Sequence, residues 1–158
     1  MKVIDNFLSE YDFKQIQSVL MGPWFQWYYN DFIVKEGDSF FQFKHTFYNP
    51  SLGSSSEHLS LFDICQTKLG VKVLHRIKAN LNPKTLFHRN TGWHVDINNM
   101  MTSILYINTN NGYTKIKGHG KVKSVANRMV IFDSNLEHEG VSCTDEKRRV
   151  VVNFNYEI

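Results

Sequence analysis

The second half of the chain is a succession of short apolar segments separated by turn residues, and this pattern limits the possible fold more than any other feature. Each segment is rich in β-branched and aromatic residues, which is typical of β-strands. The turns Asn110-Asn111-Gly112 and Gly118-His119-Gly120 favour hairpins, so consecutive strands are expected to pair antiparallel. The predicted strands are Val71–Ala79, Thr102–Asn108, Tyr113–Lys117, Lys121–Val125, Met129–Asp133 and Val150–Tyr156.

The first half has the pattern of elements that flank such strands. Ser9 followed three residues later by Asp12 predicts the start of a helix, because this spacing resembles a capping box. Apolar residues recur at helical spacing after it, and Gly22-Pro23 ends the helix. The pattern further predicts a strand at Phe40–Tyr48 and a second helix at Ser54–Leu69.

Length and composition fit one domain. The chain has 158 residues, of which 42% are hydrophobic and 14% aromatic, enough to bury a real core but too few residues for two full domains. We therefore predict a single domain over residues 1–158, with a flank of helices and strand over 1–71 and a β core over 72–158. The fold class is α+β, mainly β, with the helices packed outside a sandwich or barrel.

The charge and cysteine content exclude several classes of protein. Eighteen Lys and Arg against 15 Asp and Glu give a net charge of +3, which is low for a dedicated nucleic-acid module. Cys65 and Cys143 are too few for a disulfide framework, which is expected of a reduced intracellular protein. No apolar run is long enough to cross a membrane. We therefore expect a cytoplasmic protein without a membrane partner.

Candidate metal ligands lie in Gly92-Trp93-His94-Val95-Asp96. The side-chain period of an extended segment is two, so His94 and Asp96 project to the same side and could bind one metal ion. His138, which follows the apolar segment ending at Phe132, offers a third ligand. Two imidazoles and one carboxylate form the facial triad that holds non-haem Fe(II) and leaves coordination positions open.

The last strand has two faces of different character. Its polar face consists of Arg149, Val151, Asn153 and Asn155, and its apolar face of Arg148, Val150, Val152, Phe154 and Tyr156. The apolar face is expected to contact the helices, which leaves the polar face for a cavity. Arg149 in such a cavity would offer a planar guanidinium suited to a carboxylate, whereas Arg148 would point to the helix side.

The order and spacing of these residues resemble the 2-oxoglutarate/Fe(II)-dependent oxygenase superfamily, and within it the prolyl 4-hydroxylase-like branch. The resemblance depends on His94-Val95-Asp96, Ile104–Asn108, the Asn111-Gly112 turn, Ala126–Asp133, His138 and Arg149–Asn153. It implies a double-stranded β-helix, a distorted and cupin-like jelly roll with N-terminal flanking helices. Leu81-Asn82-Pro83 departs from the Tyr-Pro of many relatives, and Tyr113 from a second glycine.

The resemblance also implies roles for particular residues. His94, Asp96 and His138 would bind iron, and Arg149 would bind the distal carboxylate of 2-oxoglutarate. Tyr106 matches a tyrosine that binds this cosubstrate, and Asn153 stands where some relatives place a hydroxyl side chain for the same carboxylate. The implied reaction uses Fe(II), 2-oxoglutarate and O₂, with ascorbate as a further candidate, and hydroxylates a C–H bond with release of succinate and CO₂.

Three kinds of substrate are compatible with this chemistry. A peptidyl prolyl or other protein side chain is our first choice, and a small molecule or a nucleic-acid base is the alternative. The alternating lysines of one hairpin keep nucleic acid under consideration, namely Lys115, Lys117, Lys121 and Lys123. A different class of protein is a non-redox, metal-containing binding protein of cupin type, against which Arg149 together with Tyr106 argues.

Overall fold

The computed structural model describes residues 1–34, 36 and 40–158, and these residues form two antiparallel sheets. The strands are β1 (Lys2–Ile4), β2 (Tyr28–Asn30), β3 (Gln42–Asn49), β4 (Ser54–Ser55), β5 (Val73–Pro83), β6 (Met101–Tyr106), β7 (Tyr113–Ile116), β8 (Gly120–Lys123), β9 (Met129–Asp133), β10 (His138–Val141) and β11 (Arg148–Glu157). The helices are α1 (Glu10–Met21) and α2 (Asp63–Leu69), with single 3₁₀ turns at Pro50–Leu52 and Leu59–Phe62.

The larger sheet has the order β1-β9-β6-β11-β5-β3-β2, with β4 beside β3, and the smaller sheet has the order β10-β7-β8 over the same described residues. Strand β11 lies in the middle of the larger sheet, where Arg149 is opposite Asn82 of β5 and Asn153 is opposite Ile104 of β6. This mostly β architecture with few helices confirms the predicted fold class.

The two faces of β11 separate the core from the cavity. Val150, Val152 and Phe154 are fully buried in one apolar cluster with Ile16 and Leu20 of α1. Burial of such side chains contributes about 1.5–3 kcal/mol each, which fixes the helices on this side of the sheet. The opposite face points toward the smaller sheet, and the cavity lies between the two sheets.

Helix α1 begins and ends where the sequence predicts. The Ser9 hydroxyl accepts a hydrogen bond from the Asp12 amide at 3.1 Å and donates one to the Asp12 carboxylate at 2.6 Å. The helix ends at Met21, directly before Gly22-Pro23. The local capping residues therefore determine both ends of this helix.

The predicted helix over Ser54–Leu69 is wrong in its first half. Ser54–Ser55 is strand β4, and the Ser56 amide donates to the Phe47 carbonyl of β3 at 2.8 Å. The α-helix is confined to Asp63–Leu69. Serine side chains favour extended and turn backbones over helix, and pairing with β3 decides between these states.

None of the helices in the described part of the chain combines the length and the apolar character that a membrane span requires.

Candidate metal centre and cosubstrate pocket

Two histidines from distant parts of the chain face each other across a pair of backbone hydrogen bonds. His94 follows β5 and His138 begins β10; the His94 amide donates to the His138 carbonyl at 3.0 Å, and the reverse bond is 2.9 Å. Residues opposite each other in an antiparallel pair project to the same side. The two imidazole rings are accordingly 4.5 Å apart, centroid to centroid.

Asp96 completes the cluster. Its carboxylate oxygens lie 3.8 Å from Nε2 of His94 and 4.0 Å from Nε2 of His138. One ligand atom from each of the three residues can be chosen so that all lie within 4.8 Å of one another. The structure thus brings together the three residues that the sequence nominates as a triad.

The donor atoms fit a divalent metal. Nδ1 of His94 is 3.0 Å from the Gly92 carbonyl and Nδ1 of His138 is 3.4 Å from the Leu136 carbonyl, which favours the proton on Nδ1 and leaves Nε2 to accept. Nε2 of His138 is buried and has no hydrogen-bond partner among the described residues. A metal ion between the three side chains would satisfy this atom.

The protonation states also suit metal binding. Burial alone would raise the pKa of Asp96, but Arg76, His138, His94 and Lys78 outweigh it and lower that pKa to about 2. Burial lowers the pKa of His138, with Asp96 opposing the change. Near neutral pH the cluster therefore offers an ionised carboxylate and a neutral buried imidazole.

Arg76 of β5 holds the carboxylate from behind. Its Nη2 is 2.8 Å from Oδ2 of Asp96, and its Nε donates to Oδ1 of Asn155 at 3.0 Å. The Asn155 amide in turn donates to the Thr102 hydroxyl at 3.0 Å. Sequence reasoning missed Arg76, although its alternation with Lys78 signals a strand face with polar character.

Arg149 is buried at the other end of the cavity that the triad also lines. Its Nε donates to the Ser124 hydroxyl at 3.0 Å and its Nη2 to the Thr114 hydroxyl at 2.9 Å. No carboxylate in the described part of the chain lies within 4.0 Å of this guanidinium. A buried guanidinium with only hydroxyl partners is suited to an anionic ligand.

Tyr106 and Asn153 occupy different positions relative to this cavity. The fully buried Tyr106 lies behind Arg149, with its hydroxyl donating to Thr114 at 2.8 Å and its ring centroid 5.7 Å from the guanidinium carbon. It is not among the cavity-lining residues, and its hydroxyl shares the Thr114 hydroxyl with Nη2 of Arg149. Asn153 does line the cavity, and its Oδ1 is buried without a partner among the described residues.

Several polar residues of the cavity are not predicted by the sequence. They are Gln42, Lys78, Asn80, Asn82 and Thr91. Lys78, Asn80 and Asn82 stand at every second position of β5, and strand alternation turns all three toward the cavity. This alternation could have predicted their shared face from the sequence, but asparagine before proline also indicates a turn.

The lysines of the β7–β8 hairpin are less available than the sequence suggests. Lys115 pairs with the buried Glu139 at 2.7 Å, and Lys117 pairs with Glu137. The ammonium group of Lys121 lies 4.7 Å from the ring centroid of Tyr113. The expected basic face is therefore partly neutralised by acidic side chains of β10 and its preceding turn.

No protein-family model and no curated protein sequence matches this chain. Solved structures with the same fold do match. A 2OG-Fe(II) oxygenase family oxidoreductase from Burkholderia pseudomallei aligns with a TM-score of 0.66 and 10% identity, over 98% of this chain and 84% of its own. A prolyl-4-hydroxylase from Pseudomonas putida aligns with a TM-score of 0.64 and 16% identity, over 99% and 92% of the two chains.

A third similar structure is a prolyl hydroxylase from Trichoplax adhaerens in complex with a hypoxia inducible factor peptide fragment. Its TM-score is 0.63 and its identity 14%, over 99% of this chain and 83% of that one. At this level of identity the three structures establish the fold. The predicted double-stranded β-helix, and the resemblance to the 2-oxoglutarate oxygenases, are thereby confirmed at the level of the fold.

Proposed function

We propose that this protein is an Fe(II)- and 2-oxoglutarate-dependent dioxygenase that hydroxylates a C–H bond of its substrate. The observation that carries the proposal is one cavity lined both by the His94, Asp96 and His138 cluster and by the buried Arg149. A structural metal would need only the cluster, whereas a buried guanidinium across the same cavity needs an anion. Arg149 therefore favours the oxygenase over a non-redox cupin-type binding protein.

In this proposal the three residues of the cluster, Arg149 and Asn153 each have a defined task. His94, Asp96 and His138 would hold Fe(II) on one face and leave the remaining positions open. Bound Fe(II) supplies O₂ activation coupled to the decarboxylation of 2-oxoglutarate to succinate and CO₂. Arg149 would bind the distal carboxylate of 2-oxoglutarate, with the side-chain amide of Asn153 as a second donor.

The rest of the cavity positions these groups and keeps water away from them. Thr114 and Ser124 hold the guanidinium of Arg149 through its Nη2 and Nε. Ile104 and Val151 contribute apolar surface to the cavity wall. A cosubstrate held in this way interacts with its charged partners in a low-dielectric environment, where such interactions are stronger than in water.

An anaerobic titration with Fe(II) and 2-oxoglutarate tests the proposal directly. We expect the weak visible charge-transfer band of the ternary complex to appear with one equivalent of each. Admission of O₂ should then convert 2-oxoglutarate to succinate. Absence of the band at saturating concentrations of both would contradict the proposal.

The metal ligands are tested by single alanine variants of His94, Asp96 and His138. Each variant is expected to lose Fe(II)-dependent succinate formation while the far-ultraviolet circular dichroism remains that of a folded β protein. His75→Ala is the matched control, because His75 lies on β5 and pairs with Glu157 away from the cavity. If two of the three variants kept near-normal turnover with bound Fe(II), the triad assignment would be wrong.

Our first choice of substrate is a prolyl or other side chain of a peptide. Two of the similar structures are described as prolyl hydroxylases, one of them solved with a peptide fragment. The Lys115–Glu139 and Lys117–Glu137 pairs favour a peptide over a nucleic acid, because they leave less positive charge for a phosphate backbone. A small molecule hydroxylated by the same chemistry is the alternative.

A further inference from the structure

A second cavity adjoins the metal-binding cluster on the side of β3 and β5. It is open to solvent, and His94 and Asp96 form part of its wall. Arg149 is not among the residues that line it, so it is separate from the end of the first cavity where the distal carboxylate would bind. The two cavities join at the residues that line both, namely Ile33, Gln42, Lys78, His94 and Asp96.

Three cations line this second cavity: Lys44, Arg76 and Lys78. They lie on the same face of the sheet because Lys44 is opposite Asn80 of β5, and Lys78 is opposite Asn153 of β11. Asp96 is the only acidic side chain in the described lining. The wall beside the metal-binding cluster therefore has an excess of positive charge.

The three cationic side chains differ in their partners within the protein. Arg76 is committed to Asp96 and Asn155. No carboxylate of the described residues lies within 4.0 Å of the ammonium group of Lys44 or Lys78. Both lysines are partly buried, and a partly buried ammonium group without an acid destabilises the folded protein.

The electrostatic environment of Lys78 agrees with this reading. Burial, together with repulsion from Arg76 and Lys44, lowers the pKa of Lys78 to about 8, and Asp96 only partly opposes the change. A bound anion between Lys44 and Lys78 would remove this repulsion. Ammonium groups act as mobile point charges that suit carboxylate and phosphate oxygens alike.

We propose that Lys44 and Lys78 form an anion subsite beside the metal-binding cluster, so that the substrate carries a carboxylate or phosphate group near the carbon that is hydroxylated. The role of this group as part of a substrate rests on the proposed function, whereas anion binding itself does not. The subsite lies in a cavity bounded by Phe32 and Ile33, which suits one anionic group better than a continuous polyanion.

Inorganic phosphate is the probe for the subsite. The full-length protein is titrated with phosphate by isothermal calorimetry, once without metal and once loaded with Mn(II) and 2-oxoglutarate so that Arg149 is occupied. Saturable binding is expected in both states. Lys44→Gln and Lys78→Gln should each weaken it by about tenfold, which corresponds to about 1.4 kcal/mol.

Two control variants separate this site from others. Lys72→Gln removes an exposed lysine directly before β5 and should leave phosphate binding unchanged. Arg149→Gln, measured without metal and 2-oxoglutarate, should keep the phosphate binding that depends on Lys44 and Lys78, because Arg149 does not line the second cavity. Phosphate binding that is lost in Arg149→Gln but kept in both lysine variants would overturn the proposal, as would an adventitious ion only, seen as binding insensitive to all four substitutions.

Matched substrate pairs then identify the source of the anion. A proline-containing peptide with Glu next to Pro is compared with its Gln counterpart, and free proline is compared with prolinamide, by succinate formation. Preference for the charged member of either pair, lost in Lys44→Gln and Lys78→Gln, supports the proposal and shows which source is used. Equal use of charged and neutral members would contradict it. If the charge-transfer band is absent, the proposed function fails, while the phosphate titration still decides whether the subsite exists.

Discussion

At the scale of single residues, the two neighbouring arginines at the start of β11 face opposite sides of the sheet. Arg149 is buried among Ser124 and Thr114 in the cavity, whereas Nη2 of Arg148 donates to the Met21 carbonyl at the end of α1 at 2.7 Å. The alternation of side chains along a strand therefore places Arg149 in the cavity and Arg148 at the end of a helix.

Substitution of each arginine by glutamine separates these roles. Arg149→Gln should raise the apparent 2-oxoglutarate constant by roughly 30-fold to several-thousand-fold, because it leaves a carboxylate without its charged partner. Arg148→Gln should change this constant little and lower the free energy of unfolding by about 1 kcal/mol. Steady-state succinate assays and urea unfolding measure the two effects. The reverse pattern would mean that the strand register before Val150 is shifted, and equally small effects on the cosubstrate would count against the oxygenase.

Lys78 should decrease the stability of the folded protein near neutral pH. Its pKa is about 8 in the folded chain and 10.5 as an ordinary lysine, so between these values the unfolded chain binds more protons and stability rises with pH. Below pH 8 the full penalty is present. Lys78→Met should therefore stabilise the protein at pH 7 by about 1–3 kcal/mol.

The check is urea unfolding of wild type and Lys78→Met at several pH values. The difference between the two proteins should be largest at pH 7 and should shrink above pH 8. A variant that is less stable than wild type by more than about 1 kcal/mol at pH 7 would show that Lys78 makes a favourable contact instead.

At the scale of elements, the turn before β7 holds Arg149 in place through a residue without a side chain. A Cβ on Gly112 would lie 2.8 Å from Cδ of Arg149 and 2.8 Å from the Val141 carbonyl oxygen. The Gly112 carbonyl also accepts a bond from the Ser124 amide at 3.0 Å, next to the hydroxyl that binds Arg149. The turn, β10 and β11 therefore meet at this glycine.

Gly112→Ala should accordingly disturb both the stability of the protein and the proposed cosubstrate pocket. We expect a loss of about 1–3 kcal/mol from overpacking and an increase of about tenfold or more in the 2-oxoglutarate constant. Ser9→Ala is the control, because losing the α1 cap costs about 1 kcal/mol far from the pocket. A Gly112→Ala protein that loses stability but binds 2-oxoglutarate normally would show that Arg149 does not depend on the turn.

The elements also show what the sequence could and could not predict. Strand β9 is predicted by its apolar run Met129–Phe132, and the two faces of β11 are predicted by the alternation of apolar and polar side chains. Strand β10 has no such signal, because His138-Glu139-Gly140 is polar and short. The sequence predicts β5 only as far as Ala79, because Asn80 and Asn82 resemble turn residues. The Arg76–Asp96 pair depends on a contact between distant segments, which no local pattern contains.

At the scale of the whole molecule, the location of the positive charges says more about the ligand than the net charge does. The net charge is only +3, but two groups of lysines differ in their partners. Lys115 and Lys117 of the outer hairpin are paired with glutamates, whereas Lys44 and Lys78 of the second cavity are not paired with any described acid. Attraction of a long polyanion requires unpaired positive charge on the outer surface, whereas recognition of one anionic group requires unpaired positive charge inside a cavity.

We therefore expect peptides to stimulate succinate formation more than single-stranded DNA or RNA does. Replacing Lys115, Lys117, Lys121 and Lys123 by Gln should change peptide-stimulated turnover by less than about twofold, since these lysines lie outside the cavity. The measurement is succinate release at matched substrate concentrations and two ionic strengths. Oligonucleotide-dependent hydroxylation that the fourfold variant abolishes would establish the nucleic-acid alternative.

The reciprocal backbone bonds between His94 and His138 have a consequence for the choice of metal. Of the three proposed ligands, His94 and His138 are held by these backbone bonds and Asp96 by Arg76, so the donors are already assembled and metal loading would require little rearrangement. A preassembled N,N,O site follows the Irving–Williams order and binds Ni(II), Cu(II) or Zn(II) more tightly than Fe(II). Mismetallation is therefore the expected state of protein produced where these ions are abundant, and reconstitution with Fe(II) after chelation is the condition under which activity should be measured.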